Sequence, residues 1–182
     1  MVESQDGDLS LRGVAREVGV ATTSIYSHFP DLDHLTAAVM EEGFARMSEA
    51  TTLAAIAAAS PDEELRVRCR AYCHFGLEHP RLYRLMIQAG LPTEVWRESG
   101  QTPGLRSFEN LVSAVKRCLD AGLAPKHKDP FRLASIIWAA DHGLIVARIS
   151  RPTFPWAPID EMVDEMVDRM MAFGSGSAGS GS

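Results

Sequence analysis

Cysteine is scarce in this chain, three in 182 residues, and Cys69, Cys73 and Cys118 cannot build the disulfide framework of a small secreted domain. They fit a reducing compartment. No apolar run approaches the length of a membrane span and nothing near Met1 has the build of a signal peptide, so the expectation is a soluble, cytoplasmic protein with no membrane partner. A glycine-rich phosphate loop, a nucleophile elbow and a paired acid–base constellation are all missing. Cys69 and Cys73 lie one helical turn apart with His74 beside them, but without a second ligand pair they predict buried thiols and no zinc site. No catalytic residue, metal or cofactor is therefore expected. A basic arm is missing as well: net charge is -6, and the first 46 residues set Arg12, Arg16 and Arg46 against eight acids, a local charge of -5. There is no internal repeat or heptad array.

What the chain does have is concentrated in residues 9–29, LSLRGVAREVGVATTSIYSHF, which read as two short helices joined by a glycine turn. Leu11, Val14, Ala15 and Val18 recur at i, i+3, i+4 and i+7, an apolar stripe on a helix whose other faces carry Arg12, Arg16 and Glu17. Ser10 suits the cap of that helix, Gly19 its left-handed end, and Val20 a return to the core. In the second helix Ile25 and Phe29 lie one turn apart facing inward, while Thr22, Thr23, Ser24, Ser27 and His28 fall on the outer side. A two-helix unit of this kind offers its second helix to the major groove of DNA. Hydroxyls, Tyr26 and Arg12, which shares a helical side with Arg16, can hold phosphates without net positive charge. The outer row contains no arginine, asparagine or glutamine for bidentate base contacts, so specificity leans on DNA shape.

The segment AREVGVATTSIYSHFPDLDHL resembles the helix-turn-helix of the TetR family of bacterial repressors, whose usual form is close to A-x-x-x-G-V-S-x-x-x-[LI]-Y-x-[HY]-F-x-[DNS]-K-x-x-L. Ala15, Gly19, Val20, Ile25, Tyr26, His28, Phe29, Asp31 and Leu35 match it. Ala21 departs where a serine caps the recognition helix, and Leu32 departs where a lysine commonly touches phosphate; both weaken DNA anchoring. In that family a further helix precedes the segment matching residues 9–18, yet only eight residues stand before Leu9 here, Asp6, Gly7 and Asp8 among them. The expectation is a head lacking its first helix, loosened, with Val14, Val18, Ile25 and Phe29 uncovered; each large apolar side chain left wet forgoes about 1.5–3 kcal/mol.

Beyond Pro30 the pattern predicts helices only. A long amphipathic helix spans about residues 31–58. Ser60 with Pro61, Asp62 and Glu63 starts the next, which runs to about residue 79. Pro80 breaks or restarts it, and a short helix continues over residues 81–89. Pro92, Gly100, Pro103 and Gly104 mark a loop over 90–104. Further helices are expected at 105–121, 129–150 and 159–173, followed by a flexible GSGSAGSGS tail. The fold class is thus all-α: a helix-turn-helix DNA-binding head (1–46), a helical ligand-binding and dimerisation body (47–173) and the tail (174–182).

In the body, RAYCHFGLEHPRLYRLM resembles the A-Y-x-x-F-A-x-x-H-P-x-x-Y-x-x-M segment of TetR-like regulators with the WHG ligand-binding domain, and Trp138, His142 and Gly143 match its W-x-x-x-H-G element. Head and body matches together span most of residues 9–150. The resemblance implies a homodimer that binds operator DNA, dimerises through its C-terminal helices and changes DNA affinity when a small-molecule effector enters the body.

The residues themselves lead in the same direction. Helix 129–150 is apolar on more than one face, through Ile136, Ile137, Ala140, Leu144, Ile145, Ala147 and Ile149, and so belongs between neighbours and a second subunit. Asp141 and His142 on that helix either pair with neighbours such as Arg148 or orient a ligand. An apolar pocket is expected among Tyr72, Phe75, Tyr83, Met86, Phe108, Val112, Trp138 and His142, with the 90–104 loop as its gate. In the last helix Ile159, Met162, Val163, Met166, Val167, Met170 and Met171 form a stripe suited to core or dimer seam, with Asp160, Glu161, Asp164, Glu165 and Asp168 on a solvated face. The seam is assigned to Ile137, Leu144, Met162, Val163, Met166 and Met170, packed against their symmetry mates as a four-helix arrangement. The rival reading is a ligand-binding helical dimer with weak or lost DNA binding, favoured by the acidic head and Leu32.

Overall fold

The computed structural model describes residues 11–19, 21–88, 102, 104–124 and 129–172. Ser10, Val20, residues 90–101 of the expected loop and the Gly/Ser tail lie outside the described residues, as do the side chains of Val14, Val18 and Thr22. Among the described residues there are eight helices and no strand: α1 (Leu11–Val18), α2 (Thr22–His28), α3 (Leu32–Ala55), α4 (Pro61–Glu78), α5 (Pro80–Gln88), α6 (Leu105–Asp120), α7 (Pro130–Ser150) and α8 (Ile159–Met171).

Local chemistry sets the boundaries. Ser60 is extended and its hydroxyl accepts the Glu63 amide at 3.4 Å, while the Glu63 carboxylate accepts the Ala59 amide at 2.8 Å, so donors on both sides of the α4 start are satisfied. Pro61 opens α4, and Asp62, Glu63 and Glu64 lie at its positive end. Pro80, which lacks an amide hydrogen, opens α5 as a new helix. The Asp129 carboxylate caps α7 by accepting the Phe131 amide at 3.0 Å, and Ala172 closes α8 in the left-handed region.

The chain divides into two compact units, Met1–Ala45 with Arg81–Gly104, and Arg46–Pro80 with Leu105–Ser182. In this division α5 goes with the first unit. There α5 approaches α3 closely: Gly43 of α3 has no side chain, and a Cβ there would stand 2.6 Å from Met86 Sδ of α5. Ala37 and Met40 are buried beside it, with Phe44 and Leu85 packed on them. A second apolar cluster joins Leu11 and Ala15 of α1, Ile25 of α2 and Leu35 of α3, with Phe29 and Val39 against it. Ile25 and Phe29 are therefore not left uncovered as expected, since α3 supplies Leu35 and Val39 as their lid.

In the second unit α4 packs against α6, α7 and α8, and α7 also packs against α6 and α8. Leu65, Cys69, Cys73, Val115, Cys118, Ile137, Ile145, Val163, Val167 and Met171 fill its core. Two expectations need correction here. Helix α7 has 21 residues and a mean hydropathy of 1.3 over its most apolar stretch, which by length and composition does reach the measure of a membrane span. Its apolarity has a use in the bundle, where Leu133, Ala134, Ile137 and Ile145 are buried. The acidic face of α8 is not merely solvated. Arg66, Arg70 and His74, spaced four apart on α4, pair in antiparallel order with Asp168, Asp164 and Asp160 of α8. The Arg66–Asp168 and His74–Asp160 rungs span 2.8 and 2.7 Å, and Arg70 Nε donates to Asp164 at 2.7 Å.

Candidate functional site

The first candidate surface is α2. Gly19 holds φ +74 and turns the chain, and Ala21 precedes α2 with no side-chain hydrogen bond, so the missing serine cap is a structural fact. Ile25 is buried, which leaves Thr23, Ser24, Tyr26, Ser27 and His28 exposed, Tyr26 at 51%. The Ser27 hydroxyl donates to the Ser24 carbonyl at 2.7 Å, so its hydrogen is spent inside the helix while its lone pairs remain free to accept. Arg12 is exposed on α1. Asp31 caps the next helix: its carboxylate accepts the His34 amide at 2.9 Å and meets His34 Nδ1 at 2.7 Å, and these contacts hold its pKa below the ordinary carboxylate value. Leu32, where a lysine was expected, is exposed at 39% and offers phosphate nothing.

The second candidate lies in the second unit, on α6 and α7. Three of the eight expected pocket residues come together there. Phe108 meets Trp138 edge-on with ring centres 6.4 Å apart, and Trp138 stacks on His142 at 6.0 Å with ring planes 15° apart. Phe131, which the sequence reading passed over, extends the row through an edge contact with Phe108 at 5.3 Å and is 60% exposed. Its position seven residues before Trp138, two helical turns, was the available signal. Burial lowers the His142 pKa, which keeps the ring neutral at neutral pH. Val112 is half-buried on α6. Tyr72 and Phe75 are buried on α4, where Phe75 makes an edge contact with His79 at 4.9 Å; Tyr83 and Met86 are buried in the first unit.

Asp141 does not pair with Arg148. Its carboxylate meets the Cys73 thiol at 3.6 Å, while Arg148 donates to the Ala157 carbonyl and contacts Met162 Sδ at 3.6 Å, with its guanidinium 5.8 Å from the Trp156 ring centre. The three cysteines are free and buried, and burial pushes the Cys118 thiol up to about 11 and the Cys69 and Cys73 thiols higher still. They are inert at neutral pH.

The residues assigned to a dimer seam separate into two groups. Ile137 and Val163 are fully buried inside the protomer and have no surface to offer. Leu144, Met162, Met166 and Met170 are half-buried, and Ile136, Ala139 and Gly143 leave a small, exposed apolar face on α7, where nothing stands within 4 Å of a Cβ placed on Gly143.

A family model described as the tetracyclin repressor-like C-terminal domain matches residues 65–172, which run from within α4 to the end of α8. A solved protein of unknown function from Rhodococcus sp. RHA1 is 30% identical, with a TM-score of 0.74 over 92% of this chain and 85% of its own. The TetR family transcriptional regulator PfmR from Thermus thermophilus is 20% identical, with a TM-score of 0.69 over 91% of this chain and 88% of its own. A bacterial regulatory protein in the tetR family from Rhodococcus RHA1 is 17% identical, with a TM-score of 0.69 over 91% and 87%. The helical order, the body's matched segment and the likeness that extends through the head together make this chain a member of the tetracycline repressor-like, or TetR, family.

Proposed function

We propose that the protein is a cytoplasmic transcriptional repressor that binds operator DNA as a homodimer, with an affinity switched by a small hydrophobic ligand held in the body. The observation that carries this reading is the outward row on α2: Ile25 anchors the helix in the core, and Thr23, Ser24, Tyr26, Ser27 and His28 remain exposed beside a left-handed glycine turn. In the proposed complex Tyr26, with Arg12, holds phosphates, and Thr22, Thr23, Ser24, Ser27 and His28 meet base edges in successive major grooves about one turn apart. The ligand is assigned to the aromatic row of Phe108, Trp138 and His142, with Phe131 at its open end and a neutral imidazole as hydrogen-bonding group. The seam is assigned to Leu144, Met162, Met166 and Met170 with the small-residue face of α7.

Selection of bound fragments from genomic DNA, repeated with a metabolite extract, tests the reading. The expected outcome is enrichment of a palindromic site that is lost or gained with extract. Tyr26→Ala should weaken binding to all sequences alike, whereas Thr23→Ala or Ser24→Ala should change sequence preference. If none of the three alters binding, α2 is not the recognition helix.

A second reading, a ligand-binding helical dimer with weak DNA binding, is favoured by the uncapped α2 and the exposed Leu32. It requires ligand-dependent melting to persist in a protein that heparin does not retain.

A further inference from the structure

Asp141 lies midway along α7 on its buried side, with Ala134, Ile137 and Ile145, and is 2% exposed. A carboxylate in such a place normally has a cation or several strong donors. Here the titratable groups that meet it are two thiols one turn apart on α4: Cys73 Sγ at 3.6 Å from Oδ1, and Cys69. Thiols are weak donors and do not replace the water a carboxylate loses.

Charged groups on the packed elements have partners other than Asp141, although the buried Nε of Arg148 has none among the described residues. On α4, Arg70 and His74 pair with Asp164 and Asp160 of α8, and Arg66 pairs with Asp62 and Asp168. On α6, Arg117 pairs with Glu64 and the Cys118 thiol donates to the Pro61 carbonyl. On α7 itself, His142 stacks on Trp138, and Arg148, two turns beyond Asp141, holds the Ala157 carbonyl.

We propose that Asp141 is a proton-operated switch in the body: protonated, it is a neutral group over which α4 and α7 close; ionised, it places an uncompensated charge between them and loosens their packing. This inference is independent of whether α2 reads DNA. Burial raises the Asp141 pKa from 3.8 to about 7, more than the two opposing thiol contacts lower it. The folded chain thus holds a proton that the unfolded chain has already released. The stabilisation is complete below the unfolded value of 3.8 and is lost as pH rises to about 7, so the folding constant falls by up to about tenfold per pH unit inside that window.

Carboxyl carbon NMR of the full chain tests the first half: one carboxyl should titrate with a midpoint near 7, and Asp141→Asn should remove it, while ordinary carboxylates titrate below about 5. Denaturant unfolding at a fixed protein concentration tests the second. Asp141→Asn should match or trail the wild type below about pH 4 and exceed its folding constant by tenfold or more at about pH 8, since the amide stays neutral. Cys73→Ser, which supplies a stronger donor, should move the NMR midpoint downward and does not depend on the asparagine variant folding. A wild-type spectrum with no carboxyl midpoint above about 5.5, or a stability difference that stays constant with pH, overturns the proposal.

Discussion

Gly19 and Gly104 show how single positions are chosen by backbone. Both lie in the left-handed region, at φ +74 and +75, where a side chain costs about 1–2 kcal/mol. Around Gly19 there is open space, whereas a Cβ on Gly104 would stand 2.7 Å from Phe44 Cε1. Gly19→Ala should therefore lose about 1 kcal/mol of unfolding free energy, and Gly104→Ala distinctly more, because a ring must also move. Equal losses in denaturant titration would show that Phe44 yields freely. The need for a glycine at 19 was legible in the sequence, since an apolar stripe ends there and another begins within a few residues. The contact at Gly104 was not, because Phe44 is sixty residues away in the chain. Asp141 falls between these cases: the sequence announced a polar group that needed either a neighbour such as Arg148 or a ligand, and could not show that thiols of another helix stand beside it.

At the scale of elements, helix boundaries were readable because caps are local. Ser60, Pro61 and Glu63 act within five residues of one another, as do Asp129 and Pro130. Ser60→Ala should cost about 1 kcal/mol, measured by thermal or denaturant unfolding, and Ser60→Asp should retain most of the stability. Pairings between helices were not readable in this way. The acids of α8 were taken for a solvated face because nothing local reveals that Arg66, Arg70 and His74 stand opposite. A double-mutant cycle on Arg70 and Asp164 should give a coupling of about 0.5–1 kcal/mol, since both groups are partly exposed, and the coupling should shrink as salt is raised. A coupling that does not respond to salt would mean that the pair acts through packing. The aromatic row was half legible: Phe108, Trp138 and His142 were singled out as ligand-lining, but the same reasoning drew in Tyr83 and Met86, which periodicity marks as inward-facing without saying into which core.

For the whole molecule, burial separates what can meet a second copy from what cannot. Met166 is half-buried, so Met166→Glu should give folded monomers in sedimentation, with helical circular dichroism intact. Val163 is fully buried within the protomer, so Val163→Glu should instead unfold the body, and its loss of dimer would say nothing about the seam. A dimer that survives Met166→Glu unchanged would move the interface off α8. The antiparallel ladder between α4 and α8 carries one more consequence. Its donors and carboxylates recur every four residues on the two helices, so it works like a comb with evenly spaced teeth. A slide of one helical turn would bring Arg70 to Asp168 and His74 to Asp164, each donor again opposite a carboxylate, whereas a half-turn slide would put donors and carboxylates out of step. Such a comb counts only in whole turns and cannot choose among them. Only contacts outside it, such as that of Arg148 with the Ala157 carbonyl just before α8 begins, can tell one turn from the next.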